Sequence, residues 1–132
     1  MESQGVVVNN VANLFSEPDT GVELVTQAII GSSLSIKEST DGWHHVRLPD
    51  RYQAWIEAYH VREYAPDEPL YASVGRVAEV QELLAFLHHR PDDTSRAPAL
   101  QVTIGARLEV AEEHDERVRV LLPDGRALWM RR

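Results

Sequence analysis

The chain has 132 residues, 43% of them hydrophobic, which suffices for one medium domain or two small ones and excludes a wholly disordered chain. Its formal net charge of −8 repels polyanions, so we expect no nucleic-acid partner. We also expect no membrane partner, because no apolar run approaches the ~18 residues that span a bilayer and Lys37 is its single lysine.

The N-terminal end bears on the compartment. Residues 1–5 lack the basic and apolar regions of a signal peptide, and the absence of cysteine fits a reducing compartment. If Met1 is the native start, we expect a cytoplasmic protein. If a signal peptide was removed, we expect the cell envelope.

The first half of the chain predicts a small β-meander. An apolar strand and a loop with proline lie in VANLFSEPD (11–19), and a glycine precedes an alternating strand in AIIGSSLSIKE (28–38). The segment HVRLPDRYQAWI (45–56) then places turn chemistry, Pro49-Asp50-Arg51, between two further strands. Apolar and polar residues alternate in these segments, which indicates half-buried strands.

A short exposed linker is predicted next. The segment Tyr64-Ala65-Pro66-Asp67-Glu68-Pro69 contains two prolines and two acids, a composition typical of linkers. The following segment, GRVAEVQELLAFLHH (75–89), also fits helical spacing. We predict strand at its end, because the repeat described next favours it, and helix is the alternative.

The chain matches itself at an offset of 73 to 74 residues. The three segments of the first half lie over LLAFLHHRPD (83–92), VTIGARLEVAE (102–112) and RVLLPDGRALWM (119–130). A repeat of this length indicates two copies of one folding unit. The predicted division is therefore a first domain at 1–64, a linker at 65–70 and a second domain at 71–132. Without disulfides to staple such small cores, we expect the units to pack together.

This pattern resembles the bacterial SH3 domain, a small β-barrel. The resemblance rests on the EPD loop, the glycine before the alternating strand, and the DGW, LPD and closing tryptophan of copy one. Copy two departs from it, with Arg117 at the position of Trp43 and RPD in place of EPD. The resemblance implies an all-β fold of two tandem SH3-like barrels.

Two such domains in tandem resemble the N-terminal half of NlpC-type cysteine peptidases, which cut cell-wall peptides at γ-D-glutamyl bonds. In that family a separate domain carries the catalytic Cys and His, and this chain has no cysteine. The resemblance implies a non-catalytic part of such an enzyme, without its catalytic domain, or a free-standing relative. It also implies that Glu17 and Tyr52 hold the amino end of a peptide. Copy two has Arg90 and Arg126 at these positions.

The three candidate ligand-binding residues each have an alternative interpretation. A carboxylate and an aromatic ring can together hold an ammonium group, but Glu17 is equally a solvated loop residue and Tyr52 a cover on the barrel edge. Trp43 is placed in a peptide-binding groove beside Phe15 or Tyr59, or as a plug at the barrel end.

The closing tryptophans, Trp55 and Trp129, are expected to be core residues because they occupy equivalent strand ends. The acidic run at 112–116 is expected at a solvated hairpin tip. His44-His45 and His88-His89 are adjacent pairs whose side chains point to opposite faces of a strand, so we expect no metal. No GxSxG turn is present, and we assign no catalytic residue and no cofactor.

The sequence is thus interpreted as a non-catalytic recognition and positioning module for murein peptides. Its expected partners are a cell-wall peptide or a peptidase catalytic domain. The alternative from another class is a protein-interaction adaptor that binds extended or proline-rich peptides.

Overall fold

The computed structural model describes residues 3–91 and 98–131 of the chain. The strands of the first half are β1 (Ser3–Val7), β2 (Val11–Phe15), β3 (Leu24–Ile29), β4 (Ser33–Thr40), β5 (Trp43–Arg47), β6 (Gln53–Glu57) and β7 (Val61–Glu63), with a 3₁₀ turn at Ala58–His60 before β7. Those of the second half are β8 (Val77–Glu79), β9 (Leu84–Leu87), β10 (Leu100–Thr103), β11 (Arg107–His114), β12 (Arg117–Leu121) and β13 (Ala127–Arg131). The fold is all-β, as predicted.

The first half forms one sheet of seven strands in the order β3-β2-β6-β5-β4-β1-β7. Buried apolar residues alternate with more exposed ones along β5 and β6, because successive side chains of a strand point to opposite faces. The sheet encloses a small core of Val7, Ala12, Leu14, Ala28, Leu34, Ile36, Val46, Leu48, Ala54 and Ile56. This unit is an SH3-like barrel.

The second half repeats this arrangement in two sheets, β13-β12-β11-β8 and β10-β9. Backbone hydrogen bonds of 2.7 Å in both directions between His88 and Trp129 connect them. The first unit closes at the same place, where Phe15 lies opposite Trp55. The second core contains Val80, Leu87, Val102, Ala106, Leu108, Val118, Val120, Leu122, Leu128 and Met130, together with Ile30 from the first unit.

The two units agree even in their irregular details. The pairing of β4 with β5 has a bulge between Ile36 and Glu38, and that of β11 with β12 has one between Val110 and Glu112, 74 positions later. Bulges are specific features of a fold, so their agreement confirms that the sequence repeat is a repeat of structure.

The segment at 75–89 contains the strands β8 and β9, which confirms strand over helix. β9 pairs with β10, and Leu87 lies opposite Leu100. Leu87 is fully buried in the second core. Tertiary pairing therefore overrides the helical spacing of the apolar residues.

The two LPD segments form equivalent turns. The Leu48 carbonyl accepts a hydrogen bond from the Arg51 N–H at 2.8 Å, and the Leu122 carbonyl accepts one from the Gly125 N–H at 2.9 Å. The third turn residue is left-handed in both copies, with φ of +74° at Arg51 and +94° at Gly125. Only glycine adopts this region without steric cost, so the Arg51 backbone is strained.

The prediction that Trp55 and Trp129 are core residues is wrong. Both are half-buried, and their strand neighbours such as Ile56 fill the core. The alternation of the strands places both tryptophans on the outer face. There the Trp55 ring stacks on His45 with 4.8 Å between centroids, and the Trp129 ring packs on His114 at 5.5 Å.

The acidic run at 112–116 reaches the tip of the β11–β12 hairpin, as predicted. Asp115 forms the turn with a φ of +47°, and Asp115 and Glu116 are exposed. The Glu112 carboxylate lies 3.0 Å from the His114 Nε2 atom and 3.7 Å from the Arg119 guanidinium. These exposed pairs are a solvated surface network.

The two units pack together through the turn that follows β3, as expected. Ile30 is 1% exposed and lies within the second core. At Gly31, a Cβ atom would lie 2.7 Å from the Arg107 carbonyl oxygen, so a side chain here would separate the units. Beside this contact, the Thr103 N–H donates to the Asn10 Oδ1 at 2.9 Å.

Strand β7 and the segment after it contact the second unit. The Arg62 Nε donates to the Pro123 carbonyl at 2.6 Å, and its guanidinium pairs with Glu68 at 3.0 Å. The Tyr71 N–H donates to the Tyr64 hydroxyl at 2.7 Å. The division into a first domain at 1–64, a linker at 65–70 and a second domain at 71–132 stays a prediction.

The Tyr71 hydroxyl bridges strands β11 and β12. It donates to the Leu121 carbonyl and accepts a hydrogen bond from the Glu109 N–H at 3.0 Å. Burial raises the pKa of Tyr71 above its ordinary value of 10.0, because the phenolate would lose its hydration. The neutral hydroxyl is therefore part of the packing between linker and barrel.

Replacing Ile30 with alanine is expected to lower the free energy of unfolding by about 3 kcal/mol, since it leaves a cavity where the two units meet. Ile104→Ala is the matched control, because Ile104 is the repeat equivalent and is 48% exposed. We expect this control to cost less than about 1 kcal/mol. Urea denaturation measures both values, and equal losses would contradict the insertion of Ile30.

Tyr71→Phe is expected to lower the free energy of unfolding by about 2 kcal/mol at neutral pH, because two buried backbone groups lose their partner. The raised pKa in the folded state stabilises the native chain fully below the unfolded pKa of about 10, and this stabilisation declines as the pH rises above that value. Between pH 8 and pH 10.5, the free energy of unfolding should therefore fall more for the natural chain than for the variant. Parallel pH profiles would argue against a buried neutral hydroxyl.

Arg51→Gly is expected to raise the free energy of unfolding by about 0.5 to 1 kcal/mol. Glycine removes the steric cost of the left-handed turn, and the greater freedom of the unfolded chain offsets part of this gain. The reverse change in the equivalent turn, Gly125→Ala, should lower it by a similar amount. Thermal unfolding of both variants checks the prediction, and a destabilised Arg51→Gly chain would refute it.

Candidate functional site

Glu17 lies in the loop between β2 and β3. The Ser16 N–H donates to the Glu23 carbonyl at 3.1 Å and closes the loop, and the Asp19 N–H donates to the Glu17 carbonyl at 2.7 Å. The Glu17 side chain is exposed and makes no ion pair or hydrogen bond with any described residue. Its backbone is therefore ordered while its carboxylate faces solvent.

Tyr52 follows the first LPD turn and is 60% exposed. The turn fixes its backbone, because its N–H donates to the Asp50 carboxylate at 3.2 Å and its carbonyl accepts from the Leu48 N–H at 2.8 Å. Within the described ranges, the phenol hydroxyl itself has no hydrogen-bond partner. The turn thus positions the ring, whose hydroxyl makes no hydrogen bond within the described ranges.

The pairing of β2 with β6 brings these two residues to the same end of the barrel. Leu14 lies opposite Ile56, and Phe15 lies opposite Trp55. Because the strands are antiparallel, the chain beyond Phe15 runs toward the start of β6, which Tyr52 immediately precedes. We call Glu17 and Tyr52 the amine site.

The amine site has the chemistry to hold an ammonium group. A carboxylate accepts charge-assisted hydrogen bonds from it, and an aromatic face attracts it through a cation–π contact. Each exposed contact of this kind contributes less than about 1 kcal/mol. A second wall that excludes water would strengthen both contacts.

Trp43 begins β5 and is half-buried. Its ring meets the Phe15 ring edge to face, with 5.9 Å between centroids and 78° between planes. The Ala58 N–H donates to the Gly42 carbonyl at 2.8 Å, which holds the 3₁₀ turn beside Trp43. In this turn Tyr59 is 67% exposed. We call Trp43, Tyr59 and the buried Phe15 ring that Trp43 contacts the aromatic surface.

Within this aromatic surface, Phe15 is two residues from Glu17, whereas the Trp43 backbone lies farther from the amine site along β6. Trp43 is opposite Glu57 at the end of β6, whereas Tyr52 precedes its start. Five residues of strand separate these two positions, which corresponds to about 16 Å. The structure thus brings Glu17 and Tyr52 to one end of the barrel and places Trp43 toward the other end.

The second unit presents different chemistry at the positions of the amine site. Arg126 replaces Tyr52, and its Nε atom pairs with the Asp124 carboxylate at 2.8 Å. Arg90 replaces Glu17 and is exposed. Two arginines would repel a cationic ligand there, so among the described residues the pair of a carboxylate and a tyrosine has no equivalent in the second unit.

Sequence reasoning missed the stack of Trp55 on His45, which adjoins the aromatic surface. A signal was present, because Ala54 and Ile56 are both apolar and flank Trp55. Two apolar neighbours at a spacing of two residues place the residue between them on the outer face of the strand. The equivalence of Trp55 with Trp129 showed that both lie on the same face of their strands, but not which face that is.

The described residues contain no group of three or more His, Asp or Glu side chains that could hold a metal ion. His44 and His45 point to opposite faces, as predicted: the His44 side chain is buried and lies 2.6 Å from the Ser39 hydroxyl, and His45 is on the outer face. Within residues 3–91 and 98–131, no helix has the length and apolarity that crossing a membrane requires.

Comparison with known proteins identifies the first unit. Residues 14–61 match the family model described as the bacterial dipeptidyl-peptidase SH3 domain. A search of curated protein sequences finds no match. This match contains Glu17, Trp43 and Tyr52.

The fold is similar to that of an NlpC/P60 family protein from Bacillus cereus ATCC 10987, with a TM-score of 0.78 and 20% identity. The similarity covers 98% of this chain and 54% of that protein, so this chain spans about half its length. NlpC2 and NlpC1 from Trichomonas vaginalis align over 99% of this chain, covering 46% and 44% of theirs, at 14% and 12% identity and TM-scores of 0.43 and 0.44. The chain therefore contains a bacterial SH3-type domain at 14–61, within a tandem fold shared with part of an NlpC/P60 family protein.

Proposed function

We propose that the chain is a non-catalytic module that recognises cell-wall peptides and positions them for a peptidase of the NlpC type. The observation that carries this proposal is the amine site, where an unpaired carboxylate and an exposed tyrosine share one end of the first barrel. The match to a bacterial dipeptidyl-peptidase SH3 domain supports a role beside a peptidase.

The charge of the protein suits this role. A peptide with a free amino terminus carries a positive charge there, and the formal charge of −8 attracts it. The attraction is local at the amine site, because no described side chain neutralises Glu17. An N-blocked peptide lacks the charge, so the site distinguishes the two forms.

A peptidase domain also has a surface to contact. Leu83, Phe86 and Ile104 of the second unit are 81%, 51% and 48% exposed. Ile104 is the repeat equivalent of Ile30, which inserts into the neighbouring barrel. Exposed apolar side chains of this kind mark contact sites, so we propose that a catalytic domain packs here.

A second candidate function is a protein-interaction adaptor. The observation that favours it is the edge-to-face contact of Trp43 with Phe15, beside the exposed Tyr59 ring. Aromatic surfaces on SH3-like barrels suit extended or proline-rich peptides. This ligand would occupy the aromatic surface and leave the amine site empty, so the two functions are separable by position.

The test is an NMR titration of the ¹⁵N-labelled chain with L-Ala-γ-D-Glu and with its N-acetylated form. We expect the free amine to shift the amides around Glu17 and Tyr52, and the acetylated form to leave them in place. Glu17→Gln should weaken the free-amine peptide about two- to fivefold, the value of an exposed ion pair.

Tyr59→Phe is the matched control, because it alters the other highly exposed tyrosine without touching the amine site. It should leave the affinity unchanged. Equal binding of the acetylated peptide would refute amine recognition. Shifts confined to the Trp43 indole, produced by a proline-rich peptide alone, would establish the adaptor instead.

A further inference from the structure

A groove of about 690 Å³ lies beside the LPD turn of the first unit. Leu48 and Pro49 give it an apolar part, Arg47 and Arg51 contribute two guanidinium groups, and Ser35 contributes a hydroxyl. Among the described residues, no acidic side chain lines it. We call it groove one.

The second unit has a smaller groove of about 340 Å³ at the equivalent place, groove two. Five residues that line groove one have repeat equivalents that line groove two. The pairs are Ser35 with Glu109, Arg47 with Leu121, Leu48 with Leu122, Pro49 with Pro123, and Arg51 with Gly125. The two grooves are thus versions of one surface feature.

The linker of the chain itself forms part of the wall of groove two. Glu68, Pro69 and Tyr71 line it, and Tyr71 is 8% exposed. Arg62 donates to the Pro123 carbonyl at 2.6 Å and pairs with Glu68 at 3.0 Å. A segment with a proline and a carboxylate therefore lies beside the LPD turn of the second unit within this same molecule, and Arg62 links the two.

Groove one differs from groove two in charge. Arginines stand at the positions where groove two has Leu121 and Gly125. Lys37 adds a third cation at the edge, where its Nζ donates to the Gln53 Oε1 at 3.3 Å. In a chain with a formal charge of −8, two arginines line this groove and a lysine contacts one of its lining residues. The local field there attracts anions.

Arg51 is retained at a strained position. Its φ is +74°, and its side chain makes no ion pair or hydrogen bond with any described residue. The Arg51 side chain therefore makes no described polar contact that stabilises the fold, and the equivalent turn of the second unit has Gly125 instead. A strained residue whose side chain does not stabilise the fold indicates a functional role.

We propose that groove one binds a carboxylate of an extended peptide. Arg47 and Arg51 pair with the carboxylate, and Leu48, Pro49 and Leu70 contact the apolar residues beside it. The ligand resembles the linker segment that lines groove two. This subsite recognises the opposite charge from the amine site and does not depend on it.

The test uses two N-acetylated, C-amidated peptides, Ala-Glu-Pro-Leu and Ala-Gln-Pro-Leu, titrated against the ¹⁵N-labelled full chain. We expect the Glu peptide to shift the amides of residues 47–53 and the Gln peptide to bind at least about fivefold more weakly. Arg51→Gly should weaken the Glu peptide by a similar factor while its Tm rises. A stabilised variant that loses binding cannot be explained by misfolding.

Arg126→Gln is the matched control, because it removes an arginine beside the other LPD turn and should leave binding unchanged. N-acetyl-L-Ala-γ-D-Glu serves as a second probe, and the tighter of the two carboxylate probes distinguishes a wall peptide from a protein segment. Equal affinity for the Glu and Gln peptides, full binding by Arg51→Gly, or no binding of either carboxylate probe would overturn the proposal. Since every probe is N-blocked, failure of the amine site leaves these outcomes unaffected.

Discussion

The burial of Ile30 in the second barrel is the contact on which the rest of the arrangement depends. Small barrels bury little apolar surface, and each core here is built from a short set of residues. A shared side chain makes the cores continuous. Gly31 permits the close approach, because any Cβ atom there would meet the Arg107 carbonyl. The two repeats therefore form one packed body, in which the Asn10–Thr103 and Arg62–Pro123 hydrogen bonds add to the contact of the Ile30 turn.

Much of this fold was predictable because the repeat gives two sequence segments for each structural element, and the two segments can be compared. Alternation at a period of two identified the strands, and the LPD motif identified the turn in both copies. The register of the repeat also resolved the ambiguous segment that became β9, where local spacing alone allowed a helix. These features depend on neighbours in sequence or on the partner copy, which are both visible before folding.

Sequence reasoning failed in two respects: which face of a strand a side chain occupies, and which unit of the protein it contacts. Equivalence of Trp55 with Trp129 predicted a shared role, but the flanking apolar residues decided that this role lies on the outer face. Equivalence of Ile30 with Ile104 concealed the docking turn, since one inserts into a barrel and the other is 48% exposed. Groove one escaped notice because it is formed by separate strands. The comparison of Arg51 with Gly125 would have revealed it, since a motif that needs a left-handed residue had lost its glycine.

The functional difference that we propose between the two units can be traced to adjacent positions in one turn. In the first unit the turn ends with Arg51 and is followed by Tyr52, a cation beside groove one and an aromatic ring in the amine site. The second unit has Gly125 and Arg126, and Arg126 pairs with an aspartate of its own turn. Residues of the linker line its groove. We therefore propose that the second copy of the motif contributes to the tandem arrangement, while the first copy binds a peptide that carries both charges.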